Sequence, residues 1–177
     1  MAGVRRFWRF FALGLVALMV ILETDHKIFV ELLEKILAEA NAGYVFLVDK
    51  SGPQIASAGE MELDTTSLAS LTAGAVAATE GLSSLIGETR FSTLFHEGAG
   101  HSLHISQVGE KAILLTIFDE ESSLGLVRLR TQQHLPALER AVHEVLNRNL
   151  HDGKPTATIS SSAFAEISDE DIDALFG

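Results

Sequence analysis

The chain has 177 residues, 47% of them hydrophobic, which is enough for one domain with a sizeable core and excludes disorder over most of its length. Its formal net charge of −11 argues against a nucleic-acid partner, because binding to phosphates requires clustered Lys and Arg residues. The absence of cysteine excludes disulfides, thiolate catalysis and cysteine-based zinc sites.

The first 23 residues form an apolar N-terminal extension. Arg5, Arg6 and Arg9 precede an uncharged apolar run over residues 10–22, a pattern typical of a signal-anchor. The run is shorter than the ~20 residues that a membrane-spanning helix needs. Two interpretations therefore stay open: residues 7–22 anchor the chain to a membrane, or Met19 is the native start and the extension is not part of the protein.

An amphipathic helix is predicted over residues 25–41, with Thr24 or Asp25 as its N-cap. Its apolar stripe consists of Ile28, Phe29, Leu32, Leu33, Ile36 and Leu37. A strand over 44–49, a turn over 50–53 and a return strand over 54–59 predict a hairpin directly after the helix.

A long helix is predicted over residues 66–86, capped by Asp64 or Thr65 and ended by Gly87. Strands over 91–96, 102–108 and 112–118 follow, separated by glycine-containing turns. The last helix runs from about residue 123 towards 149, and Pro136 should kink or restart it. Residues 24–150 are thus expected to form one α+β domain of order αββαβββα, a five-stranded antiparallel sheet with helices packed on it.

The helix over 66–86 has an unusual composition, because Glu80 is its only charged residue. Helical projection separates two faces, and the more apolar one is expected to face the core: Leu68, Leu71, Ala75, Ala78, Leu82 and Leu85. The opposite face is small and neutral: Thr66, Ser70, Ala73, Ala77, Gly81 and Ser84. Charge depletion indicates an interface, and glycines at 74 and 81 would each cost up to ~1 kcal/mol in a helix that had no partner. The alternative is that the alanines merely favour a helix.

Several stretches in the same order resemble the Roadblock/dynein light chain family, and its bacterial polarity regulators in particular. They are the helix residues 68–80 and 85–88, the strand 43–49, the turn 95–98, and residues 117–120 and 124–127. The resemblance implies a homodimer in which helices of this type pair and edge strands join the two sheets. It also implies a cytoplasmic partner, a small Ras-like GTPase of the MglA type, in the control of cell polarity or gliding motility.

By the same resemblance, such proteins stimulate GTP hydrolysis, and can affect nucleotide exchange, without donating a catalytic arginine. The residues expected at the GTPase or dimer interface are Thr66, Ser70, Ala73, Gly74, Ala77, Gly81 and Ser84. An alternative is a Roadblock scaffold that anchors a GTPase complex at the membrane without activating it, which the apolar extension would serve.

Catalytic motifs are not apparent. His96 and His101 flank a Glu-Gly-Ala-Gly stretch, but they are five residues apart across glycines, whereas the helical metalloprotease motif places its histidines four apart. We therefore expect no catalytic residue, metal or cofactor. The rival hypothesis is a metal enzyme built around the hairpin that includes His104.

The C-terminal segment, residues 151–177, predicts a linker followed by a short acidic helix. Ile172, Leu175 and Phe176 form one apolar patch on that helix, next to Asp169, Glu170, Asp171 and Asp173. Such a patch at the end of a linker suits docking into a groove, with the GTPase as the first target. The alternative is a solvated terminus.

Overall fold

The computed structural model describes residues 21–151. Its elements in chain order are α1 (Glu23–Ala40), β1 (Tyr44–Asp49), β2 (Gln54–Gly59), α2 (Thr65–Ile86), β3 (Thr93–His96), β4 (Ser102–Val108), β5 (Ala112–Phe118) and α3 (Leu124–His151). This order confirms the predicted αββαβββα arrangement. The predicted anchor up to residue 20 and the predicted docking tail from residue 152 lie outside the described residues.

The five strands form one antiparallel sheet in the order β2-β1-β5-β4-β3. The central strands β1 and β5 pair without interruption from Tyr44 opposite Ile117 to Asp49 opposite Ala112. Every residue of β5 is buried, which explains its continuous apolar sequence. Strands β2 and β3 form the two edges of the sheet.

The helices cover the two faces of this sheet unequally. Helices α1 and α3 pack together on one face, where Phe29, Leu33 and Ile36 of α1 meet Leu138, Val142 and Val145 of α3 over Val45, Leu47 and Leu114 of the sheet. Helix α2 alone covers the other face. One side of α2 is therefore free of any other helix in the described domain.

Helices α1 and α3 run antiparallel, and ion pairs join them at both ends. The Arg148 guanidinium donates to both carboxylate oxygens of Asp25, with an Nη1–Oδ1 distance of 3.0 Å. That hydrogen bonding holds the pKa of Asp25 below its ordinary value of 3.8. At the opposite end, Glu39 lies 3.5 Å from Arg130 and 3.1 Å from His134.

One local prediction is wrong, and one of two predicted alternatives is excluded. The N-cap of α1 is Leu22 rather than Thr24 or Asp25, because Asp25 acts from inside the first turn and accepts a hydrogen bond from the Leu22 backbone N–H at 2.9 Å. Pro136 does not restart the last helix, since α3 continues through it. Pro136 and Gln132 are both exposed, so that water can satisfy the Gln132 carbonyl that loses its amide donor. The predicted caps Asp64 and Gly87 are confirmed.

Candidate interaction surface

Helix α2 contacts the sheet through small side chains. Ala69, Ala73 and Val76 are buried against a bulky apolar surface that includes Tyr44, Phe46, Ile105, Ile113, Leu115 and Ile117. Because the sheet supplies the volume, the helix residues that face it must be small to pack closely. This side of α2 therefore uses mainly alanine and valine, with Leu68 packed beside them, whereas Leu71, Leu82 and Leu85 lie elsewhere.

The outward side of α2 carries the larger apolar residues. Leu71 is 72% exposed, Leu82 58% and Leu85 83%. Gly74, Ala78 and Gly81 are also exposed and lie on the same side of the helix in the helical projection. We call these six residues the leucine face. Single exposed leucines are ordinary on protein surfaces, but a contiguous apolar strip along one helix is typical of an interaction site.

No free charge interrupts the leucine face. The only charged residue of α2, Glu80, points back towards the sheet and pairs with Lys50, with 2.7 Å between the Lys50 Nζ and the Glu80 Oε1. Sequence reasoning identified Glu80 as unusual but treated Lys50 as part of a turn. The feature of the sequence that could have indicated the ion pair was the isolated charge of Glu80. A lone carboxylate on an apolar helix requires a partner or solvent.

The predicted orientation of α2 is therefore wrong in part. Leu71, Leu82 and Leu85 were expected in the core and are exposed, whereas Ala73 was expected at the surface and is 9% exposed. The outward face is rotated by roughly a quarter-turn from the predicted one. The other predicted interface residues do lie at the surface: Thr66, Ser70, Gly74, Ala77, Gly81 and Ser84.

Two glycines in α2 have no role in packing the described domain. A Cβ added at Gly74 or at Gly81 would meet no atom within 4 Å. Glycine in a helix interior costs about 1 kcal/mol relative to alanine, and no neighbour among the described residues requires it at these positions. Because glycine has no side chain, another backbone can approach the helix closely at these two positions.

The edge strand β3 is a second open surface. It pairs with β4 on one side only, and its four residues, Thr93–His96, include no Lys, Glu, Asp or Pro. Edge strands that must remain unpaired usually carry such residues. The other edge is different, because Pro53 directly precedes β2, and a register shift between Leu47 and Val48 disturbs its pairing. Of the two edges, β3 is the better suited to accept another strand.

The histidine-containing hairpin separates its three histidines. His96 and His101 are exposed near the β3–β4 turn, whereas His104 is 1% exposed within β4. Within residues 21–151 no three potential ligands lie close enough together to hold a metal ion. An open cavity of about 680 Å³ lies beside this turn and is lined by stacked Phe95 and Phe118 rings and by carboxylates.

His104 lies under α3 and is neutral. Burial disfavours its charged form, and the Arg128 guanidinium adds repulsion, so that its pKa falls to about 4. Neither ring nitrogen has a hydrogen-bond partner among the described residues, and the same holds for the hydroxyl of Thr116, which faces it across the β4–β5 pair. The histidine is thus part of the layer below α3 and not of the surface formed by α2.

The fold and the free α2 surface are those of a small interaction domain, and comparisons with known proteins give its family. A family model described as the Roadblock/LC7 domain matches residues 28–118. The chain therefore belongs to the Roadblock/LC7 family. A search of curated proteins finds no match. Within residues 21–151, no helix is long and apolar enough to cross a membrane.

Solved structures of MglB proteins are similar to this chain. Myxococcus xanthus MglB is 46% identical, with 71% of this chain and 96% of that one covered and a TM-score of 0.67. The gliding protein MglB of Thermus thermophilus is 35% identical, with coverages of 71% and 96% and a TM-score of 0.66. A structure described as MglB with tetrameric arrangement is 34% identical, with coverages of 72% and 96% and a TM-score of 0.69.

Proposed function

We propose that this protein is a homodimeric regulator of a small Ras-like GTPase of the MglA type and that it stimulates GTP hydrolysis by contact. The observation that carries the proposal is the leucine face, an apolar strip without free charge on a side of α2 that no other part of residues 21–151 covers. The similarity to MglB proteins supports the choice of partner. Because such GTPases act in the cytoplasm, we place the protein there.

The two open surfaces serve self-association together. Two copies can pair their β3 edges to continue the sheet, which brings the two α2 helices side by side. Burial of the leucines then contributes roughly 25 cal/mol for each Å² of apolar surface removed from water. The predicted interface residues on the flank of this face, such as Ser70 and Ala77, would line the surface that the paired helices offer to the GTPase.

The resemblance to the family implies activation without a donated arginine, and the composition of α2 agrees with it. An arginine finger stabilises the charge that develops during phosphoryl transfer, but α2 contains neither Arg nor Lys. A surface of this kind can act only by binding one conformation of the GTPase more tightly than another. The GTPase's own residues would then complete its active site, so that this protein regulates without catalysing.

Single-turnover GTP hydrolysis by the cognate GTPase tests the proposal. We expect the full chain to accelerate hydrolysis by about tenfold or more, which corresponds to at least ~1.4 kcal/mol of transition-state stabilisation. Binding without acceleration would instead favour a Roadblock scaffold that only anchors the GTPase, the role that the apolar residues 7–22 would support. Absence of binding would contradict both functions.

Replacement of the two α2 glycines by alanine should affect folding and association in opposite directions. Gly74→Ala and Gly81→Ala should each stabilise the isolated monomer by about 0.5–1 kcal/mol, because alanine favours the helix and its Cβ meets nothing. Self-association should become weaker, since each added methyl group separates the paired helices. Urea denaturation at low protein concentration and sedimentation equilibrium measure the two effects separately. Alanines that improved both properties would argue against a close helix contact.

A further inference from the structure

Lys50 lies near the C-terminal half of α2 and links its own β1–β2 turn to α2, to β4 and to the β4–β5 turn. Its Nζ donates to Glu80 Oε1 at 2.7 Å and to Gln107 Oε1 at 2.9 Å, and its backbone N–H donates to the Lys111 carbonyl at 2.8 Å. The Lys50 side chain is 21% exposed and Gln107 is buried, so that these bonds are partly shielded from water. Charge-assisted bonds in such surroundings are stronger than those of exposed pairs. We call Lys50, Glu80 and Gln107 the Lys50 cluster.

The Lys50 cluster reaches both surfaces of the proposed interface. Through Glu80 it holds the second half of α2, where Ser83 is the only buried residue between Ala77 and Ile86. Through Gln107 it holds the segment that leads into β3, because the Gln107 Nε2 donates to the Phe91 carbonyl at 3.1 Å and its backbone N–H to the Ser92 carbonyl at 3.0 Å. Lys50 itself lies at the β1–β2 turn, outside α2 and β3.

Apolar packing alone does not fix this half of α2. Ala69, Ala73 and Val76 pack on the sheet up to the middle of the helix, and beyond them Leu82 and Leu85 point away from it. A helix held at one half by packing can tilt at the other half unless a directed bond restrains it. The bond from Lys50 to Glu80 supplies that restraint.

We propose that Lys50 is a positioning residue for the interaction surface. Through Glu80 and Gln107 it fixes the position of the second half of α2 relative to the segment that leads into β3. The inference rests on the proposed function insofar as both elements are taken to form the self-association surface. Loss of the restraint lowers the fraction of monomers that are competent to associate, and because both copies must be competent, the apparent dissociation constant of the dimer rises by the square of that factor.

Substitutions at Lys50 test this role. Lys50→Met keeps the aliphatic stem and removes the donor, and we expect it to weaken self-association by about tenfold. Lys50→Arg should restore much of the affinity, because a guanidinium can reach the same acceptors. Glu80→Gln keeps a neutral acceptor and should give an intermediate effect. Lys27→Met is the matched control, since it breaks an exposed pair with Glu23 on α1.

Two further measurements separate positioning from general stability. Val127→Ala truncates a buried residue of α3 that packs with Ala40 and Phe118, remote from α2, and lowers stability without touching the Lys50 cluster. Hydrogen exchange should show faster exchange of the amides of residues 80–86 in Lys50→Met and not in Val127→Ala. Equal losses of association in both variants, or unchanged exchange over 80–86, would overturn the proposal. If the wild-type chain does not self-associate, the proposed function fails, while the exchange measurement on the monomer still tests Lys50.

Discussion

Replacement of Leu82 by arginine should convert the protein into a monomer and abolish its effect on the GTPase. Leu82 belongs to the leucine face and is 58% exposed in the monomer. The substitution therefore removes no core contact and should leave the melting temperature of the monomer nearly unchanged. In a close helix pair, however, it places an unpaired cation in an apolar contact, a change that costs several kcal/mol.

We expect self-association of Leu82→Arg to weaken by about 100-fold, equivalent to ~2.7 kcal/mol. Sedimentation equilibrium measures the association, and single-turnover hydrolysis measures the effect on the GTPase. The matched control is Leu129→Arg, because Leu129 is also a helical leucine, 49% exposed, but lies on α3. A Leu82→Arg protein that self-associates as tightly as the Leu129→Arg protein would show that the leucine face is not the interface.

Substitutions along α2 also map the limits of the interface. Ala77 was predicted at the interface, but the orientation of the helix places this residue at the margin of the leucine face. Ala77→Arg should therefore disturb self-association less than Leu82→Arg does. An effect on GTPase binding larger than the effect on dimerisation would indicate that the flank of the paired helices contacts the GTPase.

Most of the fold is predictable because its strands are clearly delimited in the sequence. The predicted bounds of β1, β2, β4 and β5 agree with the structure, since each strand is a short apolar or alternating run that ends at a glycine-containing turn or a charged residue. Strand β3 begins two residues later than predicted, at Thr93, because Phe91 and Ser92 instead accept hydrogen bonds from Gln107. Where a few residues show no periodic pattern, the sequence does not determine where a strand begins.

The orientation of α2 was not predictable from periodicity alone. A helix composed almost entirely of Ala, Leu, Gly, Ser and Thr has two faces that could enter a core, and hydrophobicity favours the leucines. The deciding factor is the sheet, where Phe46, Ile113 and Leu115 already fill the space and leave room only for Ala69, Ala73 and Val76. That information lies in another part of the chain. The same holds for Lys50 and Glu80, which are 30 residues apart.

The domain should lose stability as the pH falls from 6.5 towards 4, because His104 is buried in its neutral form. The ring has an ordinary pKa of 6.5 and a pKa of about 4 in the folded protein. Below pH 6.5 the unfolded chain binds a proton that the folded protein does not, so protonation favours unfolding. The loss should reach ~2 kcal/mol at pH 5 and about 3 kcal/mol at pH 4, where the folded protein also becomes protonated.

The carboxylates whose pKa values are shifted act in a different range. Asp25, Glu39 and Asp64 have lowered pKa values in the folded protein, so their contributions are present above their ordinary values of 3.8, 4.5 and 3.8 and are lost only as the pH falls below them. A slope between pH 6.5 and 5 is therefore assigned to His104. Urea denaturation at fixed protein concentration measures it, since dimerisation makes the apparent stability depend on concentration.

His104→Phe separates this effect from the interface. An apolar ring fills the same site beneath α3, where neither nitrogen of the histidine has a partner among the described residues, and the slope between pH 6.5 and 5 should disappear. His104→Leu serves if the larger ring does not fit. The alternation of β4 places Ile105 under α2 and His104 on the opposite face of the sheet. Monomeric Leu82→Arg should consequently retain the full slope, and a flat profile in that variant would mean that dimerisation, and not His104, is the pH-sensitive step.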